Sequence, residues 1–195
     1  SWNVSSVLNM ERMFSWADAF NKPLSGWDVS SVVNMEGMFS GMYTAFNQEL
    51  NGWNVSSVVN MKAMFQEAID FNRELGGWDV SSVLNMKAMF WGAAAFNQEL
   101  GGWDVSSVVS VEDMFRTAPY GTAEDMSFYR NLSAWQLPVD VSTDNIFGPG
   151  VRPSKVCATP SFWPRFVEET SNGCLIEPPS PPIPPSLPPP SPPSP

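Results

Sequence analysis

Apolar and polar positions along the first two-thirds of the chain follow one pattern that occurs five times. Each copy opens with Trp, continues with Asp or Asn and then Val-Ser-Ser-Val, and carries Met, Phe and Leu at fixed offsets. The opening tryptophans stand 25, 26, 25 and 25 residues apart: Trp2, Trp27, Trp53, Trp78 and Trp103. A period of this length is typical of a solenoid, in which each unit buries its apolar face only against its neighbours.

The pattern within one copy predicts two short elements. Val-Ser-Ser-Val-Val is β-branched and bounded by turn formers, which predicts a strand of about three to five residues. The following Met-Glu-Gly-Met-Phe word has apolar residues three and four apart, which suits one or two helical turns. We therefore predict an α/β solenoid of short parallel strands plus short helices, with about five coils and a cap, whose Trp, Met and Phe columns form the core.

Asparagine recurs at two positions of the pattern. A stacked amide satisfies backbone groups at the tight corners of successive coils, so we predict two structural ladders with no catalytic role. The ladders comprise Asn9, Asn34, Asn60 and Asn85, and Asn21, Asn47, Asn72 and Asn97. Ser110 and Tyr129 replace these residues in copy five, where we expect both ladders to stop.

The unit W-[DN]-V-S-S-V-x-N-M-x-x-M-F-x-x-A-x-x-F-N-x-x-L resembles the BspA-like surface-protein repeat, a leucine-rich-repeat-like family of unknown function. The resemblance covers about residues 1–135. It implies an extracellular solenoid on the surfaces of bacteria, protists or algae, serving adhesion or recognition without enzymatic activity. The leucine-rich-repeat pattern maps onto Val29, Val32 and Asn34, which implies that Ser31 and Val33 face outward.

One departure from that family suggests a binding face. The residue before the ladder Asn is commonly Thr in relatives, whereas here it is apolar in every copy: Leu8, Val33, Val59, Leu84 and Val109. An exposed apolar row of this kind marks an interaction surface. A one-residue error in facing would instead place the row in the core, and the sequence leaves both interpretations open.

Composition divides the rest of the chain into a cap and a tail. Residues 1–147 form the repeat solenoid, with a degenerate half repeat starting at Trp135, and residues 148–177 contain Cys157 and Cys174. We predict a disulfide-stapled cap and an oxidising compartment, with two free buried thiols as the alternative. Residues 178–195 are a polyproline II tail, because 12 of its 18 residues are Pro.

The Ser-Pro-Pro words of the tail resemble the hydroxyproline-rich glycoproteins of plant and algal walls. That resemblance implies hydroxylation and O-glycosylation at Pro179, Pro182, Pro185, Pro189, Pro190 and Pro193. A plain stiff linker or a ligand for an SH3-type groove is the alternative.

Charge and composition exclude several functions. The net charge of −10 and pI near 4.3 disfavour nucleic acid as a partner, and no apolar run is long enough for a membrane span. The chain has no His, so we predict no enzyme, no cofactor, no catalytic residue and no metal site. It also lacks a signal peptide and an initiator Met, so we expect a mature product or a fragment.

Three sequons, at Asn3, Asn54 and Asn131, predict N-glycans in a secreted protein. Together these features predict a secreted or cell-surface, non-enzymatic structural or adhesive glycoprotein on a glycosylated stalk. Its partner would be a protein or glycan surface, or further copies of itself in a fibre or wall. The alternative is a receptor-like module that binds a peptide or glycan on the sheet face.

Overall fold

The computed structural model describes residues 2–41, 46–116, 128, 130, 132 and 134–147. The predicted cap (148–177) with Cys157 and Cys174, the tail (178–195) with its prolines, and Asn131 lie outside these residues. Within them there is no α-helix and no extended strand, and no helix that could cross a bilayer. Their regular structure consists of turns and of single parallel bridges between neighbouring copies: Asn9 to Asn34, Asn34 to Asn60, Asn60 to Asn85, Asn85 to Ser110, and Ser110 to Ser142.

Four backbone amides in each of copies one to four, at every second residue, donate to carbonyl groups of the next copy. From copy one to copy two these bonds are 2.8 to 2.9 Å long and join Met10 to Asn34, Arg12 to Glu36, Phe14 to Met38 and Trp16 to Ser40. Equivalent sets of four join copies two, three and four to their successors. Consecutive copies therefore lie side by side in register, and we call these bonds the amide ladder.

The Met-x-x-Met-Phe segment forms turns where the sequence suggested helix. In copy one the Met13 amide donates to the Met10 carbonyl at 3.2 Å, and the third residue of that turn, Arg12, has a φ of 53°. A positive φ at this position is the arrangement of a type II turn. The backbone turns in this way because its alternate amides point to the neighbouring copy, which leaves them unable to bond four residues back along a helix.

The same left-handed position recurs in the five copies and in the half repeat, which we call copy six; it is occupied by Arg12, Gly37, Ala63, Ala88, Asp113 and Asn145. A second one follows four residues later, at Trp16, Gly41, Glu67 and Gly92. A non-glycine residue in this conformation costs about 1 to 2 kcal/mol. The amide ladder and the buried columns hold it there.

Two phenylalanine columns run through the core. In the first, ring centroids of successive copies lie 5.5 to 5.8 Å apart and the rings are stacked: Phe14, Phe39, Phe65, Phe90, Phe115 and Phe147. In the second they lie 6.0 to 6.1 Å apart: Phe20, Phe46, Phe71, Phe96 and Phe128. Offset stacking of this kind stabilises beyond the buried area alone, and it keeps the copies aligned.

The opening tryptophans tie together copies that are not neighbours in sequence. The Trp78 indole is buried and its Nε1 donates to the Leu50 carbonyl at 3.0 Å, closing copy two from the start of copy four. Equivalent bonds join Trp53 to Leu24, Trp103 to Leu75 and Trp135 to Leu100. The Trp column thus supplies both apolar area and a second donor for a carbonyl that already accepts from the Trp amide three residues later, as Leu50 does from Trp53 at 3.0 Å.

The half repeat from Trp135 continues the core with a local shift. Trp135 stacks on Trp103 at 6.4 Å, and Ser142 bridges to Ser110. Asp140 stands five residues after Trp135, where the complete copies have a buried Val such as Val108, and it is exposed. Its place is taken by Val141, which packs against the core and whose amide closes a turn onto Pro138. The leucine-rich-repeat-like class of the whole chain stays a prediction.

We expect Trp78→Phe to lower the free energy of unfolding by about 0.5 to 1.5 kcal/mol, because the Leu50 carbonyl loses one of its two donors and keeps the Trp53 amide, while most ring packing remains. Trp2→Phe is the matched control, since Trp2 is 68% exposed and its indole has no acceptor among the described residues. Urea unfolding followed by circular dichroism measures both. Equal losses in the two variants would contradict the role given to the indole bond.

Candidate interaction surface

The apolar residues that precede the ladder asparagines form an exposed row, which we call the stripe. Leu8 is 61% exposed, Val109 58%, Leu84 43% and Val33 42%, whereas Val59 at the centre is half-buried. The residue before the stripe position is fully buried in copies two to five, where it is Val32, Val58, Val83 or Val108. The outward facing implied by the repeat resemblance is therefore the one that the structure has.

A continuous backbone ladder supports the stripe. Each stripe amide donates to the stripe carbonyl of the preceding copy at 2.8 to 2.9 Å: Val33 to Leu8, Val59 to Val33, Leu84 to Val59 and Val109 to Leu84. Neighbouring side chains should accordingly lie about 4.8 Å apart, the spacing of paired strands. Ser142 donates to Val109 at 3.1 Å, and Val141, which precedes Ser142, is half-buried and packs against the core.

One flank of the stripe is a charged row, two residues after the ladder Asn. It runs Glu11, Glu36, Lys62, Lys87 and Glu112 along the copies. Lys62 Nζ donates to Glu36 at 2.9 Å, and Lys87 forms the equivalent ion pair with Glu112. Sequence reasoning missed this row, although its recurrence at the repeat period was the signal that could have identified it.

The ion pairs shift the ionisation of their members. The Lys62 ammonium beside Glu36 holds the pKa of that carboxyl below its usual value, and Asn60 donates to it as well. Lys87 and then Ser142 lower the pKa of Glu112 in the same way, and Glu112 raises the pKa of Lys87. These shifts favour the charged forms of Glu36, Lys87 and Glu112, and the two lysines of copies three and four lie between carboxylates.

The other flank carries the turn that follows each Trp. Asp28 accepts from the Ser30 amide at 3.1 Å and from the Ser30 hydroxyl at 2.6 Å, and these bonds lower the pKa of Asp28. Asp79 and Asp104 have their pKa lowered by Ser81 and Ser106 in the same geometry. The aspartates are therefore exposed turn caps with one role repeated in each copy.

The predicted glycosylation sites Asn3 and Asn54 occupy this same turn. Asn54 Oδ1 accepts from the Ser56 amide at 3.2 Å and from its hydroxyl at 2.8 Å, and Asn3 bonds Ser5 identically. Both asparagines are exposed. The Oδ1 atom of each Asn accepts the same two hydrogen bonds that an Asp carboxylate accepts in other copies. The Nδ2 group takes no part in the turn.

The two asparagine columns differ in geometry. In the first, each Oδ1 accepts from the backbone amide two residues later in the same copy, as Asn34 does from Glu36 at 3.0 Å. Ser110 replaces it with a longer bond of 3.4 Å to Glu112. In the second, Oδ1 accepts from the next copy, as Asn47 does from Asn72 at 3.1 Å. The first column closes turns within copies, and the second joins neighbouring copies.

Among residues 2–41, 46–116 and the described part of copies five and six, no three His, Cys, Asp or Glu side chains converge on a metal site. The described residues thus present an exposed apolar row with polar side chains on both flanks.

We expect Glu36→Gln to reduce the pH dependence of stability. Since the pKa of Glu36 is lowered by folding, its contribution is present above the ordinary value of 4.5 and is lost as the pH falls through the lower folded-state value. The stability lost between about pH 7 and about pH 3 should shrink by up to about 1 kcal/mol in the variant. Lys62→Met should have the same effect, and urea midpoints measured across that range test it. If the stability of both variants depended on pH as that of the wild type does, the role given to the Glu36–Lys62 pair would be contradicted.

Comparison with known proteins places the repeats in a family. A model of the family described as Mycoplasma protein of unknown function, DUF285, matches residues 1–57 and 40–135. No curated protein and no solved structure matches the chain. The two matched segments overlap and together span the five copies, which is more than half of the chain. The chain therefore belongs to the DUF285 family.

Proposed function

We propose that this chain is a non-enzymatic extracellular structural or adhesive glycoprotein. In this proposal the repeats form a leucine-rich-repeat-like α/β solenoid whose stripe recognises a surface partner or mediates assembly into a fibre or wall. The observation that carries the proposal is the exposure of the stripe, Leu8 to Val109. Backbone hydrogen bonds between successive stripe residues hold it in register.

The physical argument starts from the cost of exposing apolar side chains. Exposed apolar residues scattered singly need no explanation, but a contiguous row marks an interaction surface. The backbone hydrogen bonds between stripe residues order the stripe before any partner binds, so binding would restrict few further backbone torsions. This favours an extended partner that covers several copies at once.

The flanks favour recognition of a specific partner over non-specific apolar association. The charged row, with Lys62 and Lys87 between carboxylates, offers a defined sequence of charges along one side. Serine hydroxyls and turn-capping carboxylates border the other side. Electrostatic complementarity of this kind sets the register and selects the partner. The same features would suit the second candidate, a receptor-like module that binds a peptide or glycan.

The geometry of the aspartates supports the non-enzymatic part of the proposal. A general acid and base need two carboxyls with different environments, whereas Asp28, Asp79 and Asp104 each have the same serine partner and the same direction of pKa shift. Three equivalent turn caps favour a structural role.

The turn geometry of Asn3 and Asn54 supports the glycoprotein part of the proposal. Replacing Asp by Asn retains the turn and adds an amide nitrogen on an exposed loop, followed by Ser in the sequon order. Asn131, the disulfide between Cys157 and Cys174, and the hydroxylated tail belong to the same proposal and rest on sequence alone.

Substituting Val33, Val59 and Leu84 together by Lys should abolish surface binding or assembly, because three cations then occupy the centre of the stripe. Folding should be little affected, since these side chains are exposed or half-buried and the ladder uses only their backbone. Val139→Lys is the matched control, because Val139 is 99% exposed and lies off the stripe.

Analytical ultracentrifugation of the protein, together with binding to glycan and peptide arrays, measures the outcome. Loss of assembly supports the structural function, and loss of array binding with intact assembly supports the receptor-like function. Unchanged assembly and binding in the triple variant, beside an unchanged Val139→Lys variant, would contradict a role for the stripe.

N-glycosylation predicts that native material carries a glycan mass on the peptide containing Asn54, removable by peptide-N-glycosidase. We expect Asn54→Asp to lose that mass while keeping the stability of the turn, because Asp caps the same turn at Asp28 and Asp79. Intact-mass spectrometry of protein from the native source measures this. An unmodified Asn54 peptide would contradict the glycan at this site.

A further inference from the structure

The charged row beside the stripe has an order of charges that reverses sign about one point. Along copies one to four the row has two carboxylates followed by two lysines: Glu11, Glu36, Lys62 and Lys87. When these four positions are taken in the opposite order, a lysine stands in place of each carboxylate and a carboxylate in place of each lysine. A second chain turned end over end therefore presents the opposite charge at every one of them.

A two-fold axis can bring this face onto a second copy of the chain. The axis lies in the plane of contact, across the stack and between copies two and three, so that the two stacks run antiparallel and present the same patch to each other. Rotation about it keeps the lateral position of each row, so stripe meets stripe and charged row meets charged row. Glu36 then faces the partner's Lys62, and Glu11 faces the partner's Lys87.

Other arrangements of the same two faces bring like charges together. With the axis at copy two, Glu36 meets the partner's Glu36, and with the axis at copy three, Lys62 meets the partner's Lys62. A parallel dimer with its axis along the stripe exchanges the two flanks and places Glu36 opposite the partner's Asp28, which is a contact between two carboxylates. Like charges across an interface are unfavourable, so the charges select the antiparallel register centred between copies two and three.

The members of the row are accessible for such contacts. The side chains of Lys62 and Lys87 are 41% and 42% exposed, and Glu11 is exposed. Glu11 accepts a hydrogen bond from Asn34 at 3.3 Å but, unlike the other members of the row, has no ion pair among the described residues. The antiparallel register supplies that missing cation from the partner's Lys87.

We propose that the stripe and the charged row form the interface of an antiparallel homodimer whose two-fold axis lies between copies two and three. The inference rests on the proposed function, because it uses the same stripe, and it names a second copy of this chain as the surface partner. Leu8 faces the partner's Leu84 and Val33 faces the partner's Val59, so apolar burial supplies the affinity. The opposed charges set the register.

Exchange of charges next to the axis tests the proposal. Glu36→Lys and Lys62→Glu should each weaken the homodimer about tenfold or more in sedimentation equilibrium, because contacts between opposite charges become contacts between like charges. A mixture of the two variants should form a heterodimer about as tight as the wild-type homodimer, since each lysine again faces a carboxylate. The ion pair inside each chain stays broken in the mixture, so the recovery reports contacts between chains.

Arg73→Glu is the matched control. It changes the net charge as Lys62→Glu does, but Arg73 pairs with Glu49 outside the charged row, so the homodimer should keep its affinity. All variants are made in the full chain without N-glycans, because the sequons at Asn3 and Asn54 lie on a flank of the stripe.

Zero-length cross-linking with a carbodiimide checks the register. The reagent joins a carboxylate to an amine as an amide, and the water that is lost converts the carbodiimide to a urea. Glu11 and Lys87 of one chain lie three copies apart, which is about 14 Å at the spacing of paired strands. A cross-linked Glu11–Lys87 peptide must therefore come from two chains, and we expect mass spectrometry of the digested dimer to detect it.

The outcomes separate this inference from the proposed function. A wild-type chain that stays monomeric up to about 1 mM, or a mixture of charge variants that does not recover affinity, overturns the homodimer. Binding of a glycan or peptide by a monomeric wild-type chain, lost in the triple Lys variant of Val33, Val59 and Leu84, overturns the homodimer and leaves the proposed function in place. Dimerisation of that triple variant with wild-type affinity overturns the homodimer through the stripe.

Discussion

The amide ladder between copies is the constraint on which the rest of the structure depends. A buried backbone amide must find an acceptor, and within the described residues no helix supplies one inside a copy. The alternate amides of copy three, such as Ala63 and Phe65, reach carbonyls of copy four. Each copy is therefore satisfied only by its neighbours, so stability accumulates along one direction. The stacked Phe columns follow from this register, because every ring lies one copy-spacing from its equivalent.

The sequence predicted well the features that depend on a residue recurring at the same position of each copy. Side chains at the same position of each copy face the same environment, so the Phe90 and Val83 columns could be assigned to the core and Val33 to the surface from the period and the repeat resemblance. The sequence could not predict the local backbone. Ala63 and Ala88 adopt a left-handed conformation that propensity assigns to Gly, because the energy of the ladder outweighs the strain at a single residue. For the same reason the expected helical turns are replaced by type II turns.

Asparagine and tryptophan show where residue type alone is insufficient. Asn34 and Asn47 recur with the same period, yet the first closes a turn in its own copy and the second bonds the next copy. Nothing in the identity of the residue distinguishes these roles, because both use the same amide oxygen. Trp78 was predicted as packing, and its indole also donates to the Leu50 carbonyl. Such polar contacts depend on which backbone groups lie within reach of the side chain, which is known only once the copies are assembled.

The backbone hydrogen bonds between successive stripe residues determine what kind of surface the stripe is. The amide of Val59 donates to Val33, and the carbonyl of Val59 accepts from Leu84, so a stripe residue cannot shift without breaking bonds on both sides. Its side chains are consequently presented at a constant spacing, which a flexible loop could not maintain. Under the proposed function, a partner would have to match that spacing, and this requirement would favour ligands with their own axial repeat, such as an extended polypeptide or a polymeric glycan. A small globular ligand would contact only two or three of the five side chains and would leave the remaining apolar area exposed to water.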